Sequence, residues 1–306
     1  MASLKEIKTR IGSVQGTRKV TSAMKMVSSA KLHKAQSIIT AMVPYQQNLD
    51  KIVSNFLAGK TVFSSPYVLK EEEDAKKSVN RVAVVAFSSN SSLCGAFNYN
   101  VIREFTSLIL DLHIDDKFIT VYPIGKKIEE AAKKMAFNCI TSVKRDEEEF
   151  TLQSLAAKPD YKKIFALAGE LMDKYKVGEY DKVYVVYQHF KSPAVQKVER
   201  IGYLPVDLSS YKAEESLSPE GFFHNYIVEP SVSEVITSLI PQVLKQKLYT
   251  CLADSYASEH AARTVAMQVA TDNAEDLIQE LTVLYNKSRQ QAITAELLDI
   301  VAGSVQ

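Results

Sequence analysis

Apolar residues near the start of the chain fall at Leu4, Ile7, Ile11 and Val14, then at Val20, Met24 and Val27. They resume at Ile38, Met42, Tyr45, Leu49, Ile52 and Phe56. Steps of three and four put them on one narrow helical stripe, the spacing of a coiled-coil seam. Ser3 with Glu6 has the form of a capping box at the start. Pro44 is expected to kink the helix and Gly59 to stop it. The C-terminal segment behaves alike. A seam runs through Leu244, Leu248, Cys251, Ser255, Ser258, Ala262, Val265 and Val269, and after a break in phase through Leu277, Leu281 and Leu284. Between Pro241 and Gly303 there is no glycine and no further proline, which predicts roughly 95 Å of helix at about 1.5 Å per residue. A helix so long and so narrowly apolar needs a partner helix. Small residues at Ala253, Ala257, Ala261, Ala266 and Ala270, facing Ala23, Ser28, Ser29 and Ala30, would let two backbones approach closely. Both seams average about 3.5 residues per step, so the two ends are expected to form an antiparallel, left-handed coiled coil.

The middle of the chain changes period. Lys70 to Lys77 is a charge run and reads as a linker. Arg81 to Phe87, Phe118 to Ile124 and Val183 to Phe190 are continuous apolar runs, the mark of strands buried on both faces. Amphipathic helical stretches lie between them at Val101 to Asp111, Lys126 to Met135 and Tyr161 to Tyr175. Val195 to Ile201 alternates and reads as an edge strand, and Asp207 to Gly221 as a loop-like return. This alternation implies a mostly parallel sheet. The expected fold class is therefore α/β. Residues 1–60 form an N-terminal coiled-coil helix, 78–210 an inserted Rossmann-like α/β domain, and 222–306 the C-terminal coiled-coil helix.

Charge sharpens this picture. The whole chain carries +1, which points to no nucleic acid, but Met1 to Lys34 carries +7 and Glu275 to Asp299 carries −3. The two ends are thus electrostatically complementary, with a basic face at Lys8, Arg10, Lys19 and Lys25. No stretch approaches the ~20 apolar residues of a membrane span, so attachment to a membrane would run through partners. The N-terminus enters helical periodicity with no apolar targeting core. Cys94, Cys139 and Cys251 lie far apart with no Cys-x-x-Cys pair, which argues against a zinc site or redox dithiol. No metal or cofactor is expected.

Enzyme chemistry finds little support. Neither phosphate-cradling glycine motif follows the first strand, where the chain reads Ser88 to Asn98 with one glycine, Gly95. That loop, with Leu93 and Cys94, is either an anion site or a turn, and Cys94 lacks a nearby His-Asn or His-Asp pattern to make it a nucleophile. Asp146 to Glu149 reads as a solvated loop. Arg289, followed by Gln290 and Gln291, could present a bidentate fork to a carboxylate or lie on a solvated helix face.

Ile7 to Leu32 closely resembles the first helix of ATP synthase gamma subunits. So do Ser258 to Met267, Ala270 to Ala274 and Tyr285 to Gly303, the last carrying the family's terminal Ile-Thr-x-Glu, acid and glycine signature. Leu93, Cys94 and Gly95 match in the middle, as do Gly125, Lys126 and Lys127. There are departures: Gly16 stands where the family usually has Asn, Ser304 follows Gly303 where Ala is usual, and Ser91-Ser92 replaces an Arg-Gly pair before Leu93. The charged segment Lys144 to Phe150 is extra, and the cysteine pair of the chloroplast version is missing. The resemblance implies a non-catalytic rotor shaft inside a ring of three alpha and three beta subunits, coupling proton flow to ATP synthesis at the beta-subunit sites. Small central-stalk subunits (delta or epsilon) and the membrane c-ring are the implied partners. It also implies that Arg289 and Gln290 meet acidic loops of a beta subunit, and that Leu297, Leu298, Ile300 and Val301 turn in an apolar bearing. The expected location is the matrix side of the mitochondrial inner membrane, with the cytoplasmic side of a bacterial plasma membrane as the alternative.

Overall fold

The computed structural model describes residues 3–58, 65–68, 80–145, 148–206, 228–229 and 231–304. Gly59, the charge run after Val68 and the Asp207 to Gly221 return lie outside them. Two compact units are present: Met1–Ala30 with Arg263–Gln306, and Lys31–Ala262.

Helix α1 spans Leu4–Ala58 and runs through Pro44 without interruption. At its start Glu6 N–H donates to Ser3 Oγ and Ser3 N–H donates to Glu6 Oε2, the reciprocal capping box that the sequence suggests. The C-terminal helix, α6, spans Val232–Ser304 and begins nine residues before Pro241. Ser231 caps it, its Oγ accepting from Glu234 N–H at 3.3 Å.

The Lys31–Ala262 unit holds the inserted α/β domain. Its elements are β1 (Val82–Phe87), α2 (Phe97–Leu112), β2 (Ile119–Ile124), α3 (Lys126–Lys134), β3 (Asn138–Cys139), β4 (Ser142–Arg145), β5 (Glu148–Thr151), α4 (Leu152–Ala157), α5 (Tyr161–Val177), β6 (Lys182–Phe190) and β7 (Gln196–Leu204). One sheet has the order β3-β2-β1-β6-β7. β1 pairs in parallel with β2 and β6, and β7 pairs antiparallel on β6. The central strand β1 is buried throughout, as its unbroken apolar run demands. One face of the sheet packs on α2 and α3, through Val101, Phe105, Leu108 and Ile128. The other packs on α4, α5 and the first part of α6, through Leu155, Leu167, Leu171, Leu244 and Leu248.

β4 and β5 form a hairpin where the sequence alone predicts a solvated, charged loop. Among its described residues only Val143 and Phe150 face the core, and they pair directly. Cross-strand register sets Lys144 against Glu149 and Arg145 against Glu148. Opposite charges facing one another stabilise such a ladder, so a run that looks solvated in one dimension is patterned in two.

Candidate functional site

Within the Met1–Ala30 and Arg263–Gln306 unit, α1 and α6 lie antiparallel. Arg18 pairs with Glu275 at 3.3 Å and Thr21 Oγ1 lies 2.8 Å from Thr271 Oγ1. The same sense holds within Lys31–Ala262, where Thr250 Oγ1 donates to Gln46 and Leu49 and Val53 pack on Val243. Leu32 and Ala35 pack there against Ala257 and Ala261.

Among the described residues the buried positions of α1 are Ile7, Thr21, Ser28, Leu32, Ala35, Leu49 and Val53. Each is separated from the next by three, four or whole multiples of seven residues, as one coiled-coil seam requires. This corrects the seam drawn through Val20 and Val27, which are 59% and 58% exposed. The stripe lies one residue further on, through Thr21 and Ser28. Small hydroxyl side chains fit where backbones come close, and Thr21 satisfies its hydroxyl against Thr271, so burial does not follow hydropathy there. On α6 the correction is similar. Val265, Val269 and Leu284 are exposed, while Arg263, Met267 and Ala274, off the drawn stripe, are buried; Leu281, on it, is buried as expected. The phase shifts near Ser258, because Cys251 to Ala261 is buried almost all round the helix. There α6 meets the sheet as well as α1. Ser258 Oγ donates to the Gln188 carbonyl and Asp254 lies 2.7 Å from His189 Nδ1. Burial raises the Asp254 carboxyl above its ordinary range, and His189 offsets part of that.

Arg289 and Gln290 are exposed on α6. Among the described residues Arg289 has no ion pair, and no acid stands three or four residues from it on its own helix. Leu297, Leu298, Ile300 and Val301 are 57 to 68% exposed, an apolar end to α6. Lys8, Arg10 and Lys19 are exposed and Lys25 is half-buried at the seam. None of the four pairs with a carboxylate among the described residues. The complementarity of the two chain ends is expressed between helices in one exposed pair, Arg18 with Glu275, a kind of contact worth about 0–1 kcal/mol.

The loop after β1 is built as a cap. Ser88 Oγ accepts from Ile128 N–H at 2.9 Å, the Ser89 carbonyl from Lys127 N–H at 3.2 Å, and Asn90 Oδ1 from Lys126 N–H at 3.0 Å. Free amide groups at a helix start can bind an anion such as phosphate. Here the protein's own oxygens fill that place. Gly125, at φ +114°, allows the approach, since a Cβ there would overlap the Ser88 carbonyl. Leu93 is exposed with φ +66° and Gly95 has φ +57°. Cys94 is buried, its sulfur accepting from Asn98 Nδ2 at 3.1 Å, so it is a packed thiol inside the Ser89–Asn98 hydrogen-bond network. Among the described residues no cluster of His, Cys, Asp or Glu could hold a metal, and no helix is long and apolar enough to cross a membrane.

A family model described as ATP synthase matches residues 3–305. An ATP synthase gamma chain of Bacteroides fragilis is 53% identical over 306 residues, covering 100% of both chains. The chain belongs to the ATP synthase gamma chain family. A gamma chain of Bacteroides thetaiotaomicron is 52% identical with the same coverage, and one of Flavobacterium psychrophilum is 41% identical, covering 99% of this chain and 98% of its own. Among solved structures, a chain of the Euglena gracilis mitochondrial ATP synthase covers 99% of this chain and 93% of its own. It has a TM-score of 0.60 at 19% identity. A chain of the Tetrahymena thermophila mitochondrial central stalk and c-ring structure covers 82% of this chain and 99% of its own, with a TM-score of 0.53 at 20% identity. Those two likenesses speak to the fold. These three gamma chains are bacterial, which corrects the expectation of a mitochondrial protein towards its bacterial alternative.

Proposed function

We propose that the chain is the central rotor shaft of an F-type ATP synthase, catalysing no chemistry itself. It turns inside a ring of three alpha and three beta subunits, and couples proton flow through the membrane c-ring to ATP synthesis at the beta-subunit sites. A small delta or epsilon subunit joins it in the central stalk. It works at the cytoplasmic side of a bacterial plasma membrane, held there by partners. The observation that carries this reading is the antiparallel pairing of α1 and α6 in a chain related end to end to gamma chains. An asymmetric two-helix shaft presents a different face to each beta subunit, and differential contact is what biases conformational states.

In this reading Arg289 and Gln290 form the catch. The exposure of Arg289 and the lack of an acid within its own helical reach favour a carboxylate on another subunit. The contact must select one angle and then break. A charge-assisted hydrogen bond of roughly 1.5–3 kcal/mol suits that, whereas a buried pair, whose disruption costs about 3–5 kcal/mol, would lock. Arg289→Ala in the assembled complex is expected to lower ATP-driven proton pumping several-fold while the complex stays intact. Unchanged coupled turnover would remove the catch. Failure of the tagged chain to co-purify with two larger nucleotide-binding subunits would overturn the whole reading.

A further inference from the structure

The β4–β5 hairpin, the start of α5 and Lys245 of α6 enclose a cavity of about 490 Å³ within the Lys31–Ala262 unit. Among the described residues four cations line it, Arg145, Lys162, Lys163 and Lys245, against one acid, Glu148. Arg145 is built in. Its guanidinium occupies the room left by the missing side chain of Gly169 on α5, and it is held there by Asp173 at 3.0 Å. That bond uses part of the Arg145 charge. The ammonium groups of Lys162, Lys163 and Lys245 pair with no carboxylate among the described residues. Lys163 instead lies 5.9 Å from the centre of the Phe150 ring. The walls are aromatic: Tyr161 stacks on Phe165 with ring centres 3.8 Å apart, and Tyr161 is half-exposed at the rim.

Unpaired ammonium groups brought to one concavity repel one another, and an anion with several charges relieves that repulsion. Lys and Arg around a hollow with aromatic walls match the chemistry of a phosphate chain, with or without a flat ring attached. The amides at the start of α5 are not the donors, since Asp160 caps Lys162 N–H and Lys163 N–H. Recognition here falls to side chains. We propose that this cavity binds a polyphosphate group, carried by a nucleoside triphosphate or as inorganic polyphosphate. The site is separate from the start of α3, whose amides are already filled, and it does not depend on the rotor reading.

The test is calorimetric titration of the full-length chain with tripolyphosphate and with ATP, at low ionic strength and without divalent cations. Saturable one-to-one binding is expected with at least one of them. Lys162→Gln combined with Lys245→Gln should weaken it at least about tenfold. Gly169→Ala keeps the net charge and displaces only the Arg145 guanidinium, so it should weaken binding several-fold where diffuse surface charge would not respond. Circular dichroism melts establish that each variant is folded, and Arg145→Gln replaces Gly169→Ala if the latter is not. Affinity equal to wild type in either the double variant or the Arg145-displaced variant overturns the proposal, as does the lack of saturable binding by both ligands. Tighter binding of ATP that is lost in Tyr161→Ala supports the site and identifies a nucleotide. Equal or tighter binding of tripolyphosphate supports it and identifies the inorganic chain.

Discussion

Single residues hold the inserted domain at two points that can be tested directly. Gly125 combines a φ of +114° with an approach to the Ser88 carbonyl that leaves no room for a Cβ. Gly125→Ala is therefore expected to destabilise the chain by at least about 1–3 kcal/mol, the cost of strained backbone alone, read as a lower urea midpoint. Asp181 accepts from the amides of Asn80 and Arg81 at the head of β1. Burial opposes its ionisation, but these amide bonds and the Arg81 guanidinium prevail, so its carboxyl sits below the ordinary range. A depressed carboxyl contributes stability that is present above its unfolded pKa and is lost as pH falls through the folded one. That window lies below about pH 4. Asp181→Asn should flatten the acid limb of stability against pH there and change its slope little above pH 6. A wild-type slope in the variant would show that Asp181 is not the group concerned. Gly125 stands out in the sequence only as a family match and Asp181 not at all, and neither role is legible there. A glycine after a strand and an acid before one become specific only when the Ser88 carbonyl and the Asn80 amide are in place.

At the scale of elements, the apolar runs mark β1, β2 and β6, and alternation marks β7 as an edge strand, which the structure pairs antiparallel on β6. These strands were readable because burial on two faces or one leaves a direct mark on hydropathy. The β4–β5 hairpin was not, since its pattern is a pairing of opposite charges across strands. The coiled-coil seam was half legible. Where large apolar residues fill it, at Ile7 and Leu49, period and burial agree. Where hydroxyls fill it, at Thr21 and Ser28, an apolar residue one place away draws the eye to the wrong stripe. The two assignments make different forecasts for the free chain. Val27→Ser should change its stability by less than about 0.5 kcal/mol, the usual effect of a surface exchange. Leu32→Ala should cost about 2–5 kcal/mol. Thermal or urea unfolding of the two variants distinguishes the stripes, and a large loss in Val27→Ser would restore the earlier one.

At the scale of the whole molecule, the terminal signatures made the family legible, because long matches in order at both ends leave few alternatives. Lineage was not, since a divergent loop marks distance without direction. The apolar end of α6 carries a further forecast. Removing residues 297–306 takes away Leu297, Leu298, Ile300 and Val301 while leaving the helix pairing at Thr271 and Glu275 untouched. Non-directional contacts suit a bearing because they prefer no single angle. The truncated chain should assemble and support ATP hydrolysis, with modestly reduced torque in single-molecule rotation. Complete loss of hydrolysis in an assembled complex would show that the tip does more than turn. The same exposure has a consequence for the cell that makes the chain. Val20, Met26 and Val27 on α1 join the α6 tip in facing water when no other subunit covers them. Exposed apolar patches are what chaperones and proteases recognise. A surplus of this chain over its companions should therefore be short-lived, its half-life in a pulse-chase lengthening when those companions are co-expressed. Its abundance is then set by assembly as much as by synthesis.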